Sequence, residues 1–448
     1  MLKNTTIRSI LWLALGTIGV SVFSSWVLPP DSYALPAFAR KYTLNCNVCH
    51  TRPPRLNTFG EQFLENGYQL PGTEDGGIVG KKRLGEVTLD DVTNYFAVRI
   101  RGNFIRHFDQ KNQDSKTEIG FPETVNIFTA GTLTKNVGFF VELESNIEEG
   151  EIETERTFVT FNNLVRHNWI HLRAGKFDPS AFFSYPTHRQ QLNPIRPSVT
   201  NPGGFAGAMI QRIPLLPNAF ASKFFGLFDR TGKAILPFEP SLFNSPAEMG
   251  IDVHGRPFGK WFLYQVGVLN GAKEEFGDSN NHKDVYAMLR VDYAQSDLFS
   301  ASLSGFGYWG GNNAKLATGR DVNWHRYGVA GNVRYKMVDI YGAFIIDHVT
   351  DLPSGLAFDD TATGATLEAD VLVTDQLLLS VRFDHLDAGG AKSMKKSNTL
   401  LGVQAKYYLR PNIAIYVRDD FNLRDAQGGT SPPRKFRNAF FIGADLDF

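Results

Sequence analysis

From Val92 onward the chain alternates apolar and polar residues with period two, stretch after stretch. In 95–107, Phe96, Val98, Ile100 and Phe104 alternate with Arg99, Arg101, Asn103 and His107. In 139–148, Phe139, Val141 and Leu143 alternate with Glu142 and Glu144, and the rhythm returns in 169–176, 285–293, 338–344 and 377–383. Residues two apart share one face of a strand, so each stretch reads as an amphipathic strand. An abundance of Gly (42), Phe (36) and Tyr (15) suits strands and turns rather than helices. A soluble secreted sandwich would alternate in the same way, with its polar face in water. The connections separate the two cases. Short turns at 135–136, 166–167, 257–260, 295–297, 374–375 and 410–411 alternate with longer loops at 109–120, 149–154, 177–203, 229–248, 270–283, 310–322 and 351–364. That is the plan of an outer-membrane barrel. The expected fold is therefore an all-β transmembrane barrel over 92–448, with about eighteen strands or, alternatively, sixteen. An even count returns both ends of the barrel to the same side of the membrane.

The start of the chain sets the redox compartment. Lys3 and Arg8 precede an uncharged apolar run from 10 to 23, and Ser32-Tyr33-Ala34 follows with small residues at the positions a signal peptidase reads. This predicts a secretory signal over 1–34, cleaved after Ala34. The run is shorter than the ~20 residues of a spanning helix, which weighs against an uncleaved anchor. Export brings the chain to a compartment where disulfides form. Formal net charge is zero, so nothing favours nucleic acid as a partner.

The chain has two cysteines, Cys46 and Cys49, followed directly by His50. C-x-x-C-H is the attachment signature of a c-type haem. Each thiol adds to one haem vinyl group, and His50 reaches the iron from the same turn as proximal ligand. One covalent haem c is expected. Three other readings compete: a thioredoxin-like pair, a strained short-loop disulfide, and half of a zinc site. The first lacks a βαβ context. The third lacks a second Cys/His pair nearby. Around the motif, Phe38 and Tyr42 mark one short helix within 36–45, and Leu56, Phe59 and Phe63 mark a second that stops at Asn66-Gly67. A flexible linker over 71–91 follows. The haem segment, 35–70, is too small to bury a haem alone, so the barrel must cover the rest.

The segment L-P-A-F-A-R-K-Y-T-L-N-C-N-V-C-H, followed by P-R-L-N-T-F-G-E-Q-F-L-E-N-G-Y, resembles the fused monohaem cytochrome–porins of bacterial outer membranes. That family includes Fe(II)-oxidising outer-membrane cytochromes. The match covers 34–68; the residues T-R-P-P-R-L-N differ from the iron-oxidising branch, which leaves the substrate open. L-R-A-G-K-F-D-P at 172–179 is similar to a segment common in porin-like barrels, and the alternating last strand ending in Phe448 resembles the signal that outer-membrane assembly machinery reads. The loop 177–203 takes the place of the loop that folds into the lumen of general porins, though an ordinary external loop is the plainer alternative.

The resemblance implies electron transfer across the outer membrane, from an extracellular reductant such as Fe(II) to a periplasmic c-type cytochrome or other acceptor. The rival is a solute-conducting porin with a structural or redox-sensing haem plug. By alternation His171 and His254 face inward near the periplasmic mouth, and His188 lies in the long loop. These three are the candidate distal ligands, with inward His107 and Met288 further options. Arg40, Lys41, Arg52 and Arg55 are either partners of the haem propionates or a solvated basic face. Glu142, Glu144 and Glu148 form an inward carboxylate row able to guide a hard cation. Arg99, Arg101, Arg173 and Arg382 balance that row in the way of an ordinary charged lumen.

Overall fold

Where the sequence alternates, the backbone pairs. The structure is a computed structural model that describes residues 37–42, 44–70, 82–84, 87–89, 94–109, 116–134, 136–147, 150–179, 247–270, 283–296, 298–312, 322–350, 361–387, 397–424 and 436–448. The predicted signal, His188 and Glu148 lie outside these residues. Near the N-terminus, β1 (His50–Arg52) and β2 (Arg55–Leu56) form one small ladder. A second, β3 (Lys82–Leu84) with β4 (Val87–Leu89), falls within the expected linker, which is therefore not wholly irregular.

The barrel begins with β5 (Phe96–Asp109), β6 (Lys116–Thr134), β7 (Val137–Asn146), β8 (Glu151–Phe161) and β9 (His171–Phe177). It continues through β10 (Glu248–Gly255), β11 (Phe262–Leu269), β12 (Asp284–Ser296), β13 (Phe299–Asn312) and β14 (Val322–Tyr335). Then come β15 (Val338–Thr350), β16 (Thr361–Leu372), β17 (Leu377–Asp387), β18 (Ser397–Arg410), β19 (Ile413–Arg424) and β20 (Phe436–Asp447). Each pairs antiparallel with its sequence neighbours, and β20 pairs with β5, closing a barrel of sixteen strands. At the seam Val98 and Phe448 exchange backbone hydrogen bonds of 2.9 and 2.7 Å. Closure satisfies every edge, which a sheet facing lipid requires.

Sixteen is the second of the two expected counts, in place of the eighteen put first. The larger tally needed two strands between the loops 177–203 and 229–248. Instead β9 pairs directly with β10, His171 opposite His254 through Phe177 opposite Glu248, so the two are neighbours in the wall.

The wall has two chemically distinct faces. Along β12, Leu289 is 56% exposed and its neighbour Met288 only 2%. Val285, Val291 and Tyr293 share the outer face, while Tyr286, Arg290 and Asp292 are buried inside. The same outward apolar set recurs on β14 to β17, among them Val329, Phe344, Leu367 and Val381. Exposed Trp169, Phe258, Trp261 and Tyr335 lie at or beside the short turns, the position of an interfacial aromatic girdle.

Residues 37–70 form a plug in the mouth bearing the short turns. It contains three helices, Ala37–Tyr42, Cys46–Cys49 and Thr58–Glu65. The last stops at Asn66-Gly67, as its sequence predicts; Gly67 has a left-handed φ of 64°. Hydrogen bonds tie the plug to turns around the mouth: Asn163 Nδ2 to Asn66 Oδ1 (3.2 Å), Arg52 Nε to the Asp375 carbonyl (3.1 Å), and Tyr408 Oη to the Pro53 carbonyl (2.6 Å).

Candidate functional site

The Cys46–Cys49 helix is a single turn. Asn45 precedes it in extended conformation, and His50 leaves it extended, its backbone N–H donating to the Cys46 carbonyl. Asn57 clamps the turn. Its Nδ2 donates to the carbonyls of Val48 (2.9 Å) and Asn47 (3.2 Å), while its Oδ1 accepts from Gly60 N (2.9 Å) and caps the helix Thr58–Glu65. One side chain therefore starts the helix and fixes the cysteine turn against it. Gly60 makes the contact possible, because a Cβ there would overlap the Cys49 carbonyl oxygen.

Cys46, Cys49 and His50 line one cavity of about 260 Å³. The plug contributes Phe38, Tyr42, Phe63 and Tyr68 to its wall, and the barrel adds Arg99, Phe128 and Phe140. The plug does need the barrel to finish the enclosure, as its size requires. The aromatic rings extend beyond the cavity: Tyr68 stacks between Phe38 (5.0 Å) and Phe140 (5.7 Å), and Phe140 stacks on Phe158 (5.4 Å). These inward phenylalanines were not legible as a site, because period-two alternation marks lumen positions by polarity.

The donor atoms are neutral and available. Neither cysteine forms a disulfide. Burial pushes the Cys46 thiol above its ordinary value, and burial with the neighbouring Cys46 raises Cys49 to about 11. Burial lowers His50 to about 4, against hydrogen bonding to the backbone of Pro54 and Arg55. Neutral imidazole is the form that ligates a metal. His50 Nδ1 is buried with no hydrogen-bond partner. Two adjacent thiols and a neutral imidazole on one apolar wall fit a covalently attached haem. They fit a zinc site poorly, since no cluster of metal-binding side chains occurs among the described residues.

The other expected residues are distributed differently. His171 and His254 face inward but do not line this cavity. Their rings stack at 5.2 Å; His254 Nδ1 lies 2.9 Å from Asp252 Oδ1 and its Nε2 3.1 Å from the Glu65 carbonyl, while His171 Nδ1 lies 3.2 Å from Asn162 Oδ1. They sit on β9 and β10, whereas the cavity is backed by residues of β5, β6, β7 and β20. Alternation sets which way a residue points and not which strand it faces across the lumen. Met288 lines a smaller adjoining cavity with His254 and Tyr68.

The four plug cations are tethers. Arg55 is buried between Asp339 (2.6 Å) and Asp370 (3.1 Å), with Tyr341 beneath its guanidinium at 4.3 Å. Arg52 pairs with Asn47 and the Asp375 carbonyl, Lys41 with Thr132, and Arg40 with the Phe96 carbonyl. Plug carboxylates do the same from the other side: Glu65 pairs with Arg256 (2.6 Å) and Glu61 with Arg290. Of the carboxylate row, Glu142 is buried between Arg99 (3.3 Å) and Arg156 (2.6 Å), and Glu144 accepts from Asn126 (2.7 Å).

No protein-family model matches the chain, and no curated protein sequence does. Solved structures do match. An anion-selective porin from Comamonas acidovorans aligns over 79% of this chain and 98% of its own, at 13% identity and a TM-score of 0.51. Salmonella typhi OmpF, in complex with daunomycin, aligns over 82% and 100%, at 12% identity and a TM-score of 0.50. At such identity the likeness speaks for the fold alone: this chain is a porin-like, closed antiparallel barrel with a structured N-terminal plug.

Proposed function

We propose that this chain is an outer-membrane cytochrome–porin: a lipid-embedded barrel whose plug carries one covalent haem c and moves electrons across the membrane. The observation that carries the reading is the shared cavity of Cys46, Cys49 and His50, closed by aromatic side chains from both plug and wall. Cys46 and Cys49 would hold the group through two thioether bonds. His50 supplies a neutral nitrogen to the iron. The bound haem supplies a one-electron centre. The wall excludes water from it, and the buried ion pairs fix the plug inside the lumen. The apolar outer face supports an outer-membrane location, with lipid as the surrounding partner.

Electron flow is assigned inward, from an extracellular reductant such as Fe(II) to a periplasmic c-type cytochrome or comparable carrier. The test is mass spectrometry of the peptide containing Cys46 and Cys49, followed by reduction of the detergent-purified protein with Fe(II). A haem adduct and a reduced c-type spectrum are expected; an unmodified peptide overturns the reading. The porin-like fold favours a second reading, a solute channel with a haem plug. Large open-channel currents in planar bilayers, without reduction by Fe(II), would select it.

A further inference from the structure

Arg99 is the cation on the cavity wall, and its guanidinium is under-used. Nε lies 3.4 Å from Asn126 Oδ1 and Nη2 3.3 Å from Glu142 Oε1, both near the outer limit of a hydrogen bond. Nη1 makes no hydrogen bond to any described residue. Arg99 is only 9% exposed, and its guanidinium packs 4.7 Å over the Phe128 ring. Glu142 is shared with Arg156, which approaches it more closely. Its planar fork suits a carboxylate, which could bridge donors that the wall engages only at long range. Asp447 lines the same cavity and its charge acts on Arg99, without an ion pair between the two side chains. The plug cations Arg40, Lys41, Arg52 and Arg55 are all engaged in tethering.

We propose that Arg99 binds the carboxylate of the apolar group that fills this cavity. On the haem reading of the site, on which this identification rests, that carboxylate is a propionate. The barrel wall then does more than cover the cofactor. It would supply the cationic partner that the haem segment lacks, in the same cavity as Cys46, Cys49 and His50. Attachment through Cys46 and Cys49 would fix one edge of the ring and Arg99 the carboxylate edge. An apolar cavity with one buried guanidinium would also take a fatty acid, so the test distinguishes the two sources of carboxylate.

Full-length protein is purified as wild type, Arg99→Gln, Arg99→Lys and Arg101→Gln. Arg101, on β5 like Arg99, pairs with Asp445 of β20 at 3.5 Å and does not line the cavity, so its substitution removes the same charge without touching the site. Covalent haem is scored by mass, propionate hydrogen bonding by the propionate bending band in resonance Raman, and the potential by redox titration. The expected result is an unchanged adduct in all four proteins, a shifted propionate band and lowered potential in Arg99→Gln, a smaller band shift in Arg99→Lys, and no band shift in Arg101→Gln. An adduct with the same propionate band in both Arg99 variants as in wild type overturns the inference and leaves the haem reading intact. If Arg99→Gln does not fold, Arg99→Lys decides by the same band. If no adduct forms, extracted lipids are assayed: a fatty acid retained by wild type and lost with Arg99 preserves the carboxylate site and sinks the haem reading, whereas its absence overturns both.

Discussion

Arg55 of the plug and Asp339 of the barrel wall, 284 positions apart in the sequence, meet at 2.6 Å. Both are buried, and Asp370 approaches Arg55 from the next strand. Desolvating three charges is unfavourable, so the group is weak evidence of net stability but strong evidence of position. Removing Arg55 takes the cation from Asp370, while Asp339 keeps Arg334 (3.2 Å).

Arg55→Met is therefore expected to loosen the plug by about 3–5 kcal/mol, the range for breaking a buried pair. Limited proteolysis in detergent reads it out, with cleavage within 37–70 accelerated and the barrel intact. Adding Asp370→Leu should recover part of the loss, because an apolar contact replaces the stranded carboxylate, whereas Asp339 keeps its pair with Arg334 (3.2 Å). Equal cleavage of wild type and Arg55→Met would remove the anchor from this account.

Gly60→Ala should destabilise the plug, against helix propensity. In an ordinary helix interior the change is favourable by about 1 kcal/mol. Here the added carbon overlaps the Cys49 carbonyl oxygen, which is backbone and has no rotamer to move to. The expected readout is a lower yield of haem-bearing protein and faster cleavage of the plug. Asn57→Ala should act in the same direction through a different cause, losing the helix cap, ~1 kcal/mol, and the hold on the Val48 and Asn47 carbonyls.

Leu289→Arg tests the membrane-facing side of β12. A cation on the lipid face of a barrel costs about 2–4 kcal/mol near the bilayer midplane. Denaturant titration of protein folded in vesicles should show that loss, whereas Leu289→Ser should show much less. A neutral result for the arginine would mean that this face is not against lipid.

Deleting residues 37–70 should raise single-channel conductance in planar bilayers relative to the full chain. The plug is held by ion pairs at separate places on the wall, Arg256 beside β10 and Arg290 on β12, Asp339 on β15 and Asp370 on β16. A deletion variant that folds and conducts no more than the full chain would show that the plug does not limit passage.

The primary sequence alone determined the local chemistry and the class of wall. C-x-x-C-H at 46–50 and the alternation beyond Val92 are short-range patterns, each readable within a few residues. The inward side of Arg99, Glu142, His171 and His254 followed from the same period. Tertiary structure alone decided how many strands close the barrel, since closure depends on β9 meeting β10 across seventy intervening residues. It also decided which inward residues share a cavity. His171 and His254 face the lumen yet hydrogen-bond to Asn162, Asp252 and the plug helix, while Arg99 reaches the wall of the Cys46–His50 cavity. Alternation specifies the side of a strand; azimuth around the barrel and depth along it come from register and closure, which no local pattern contains.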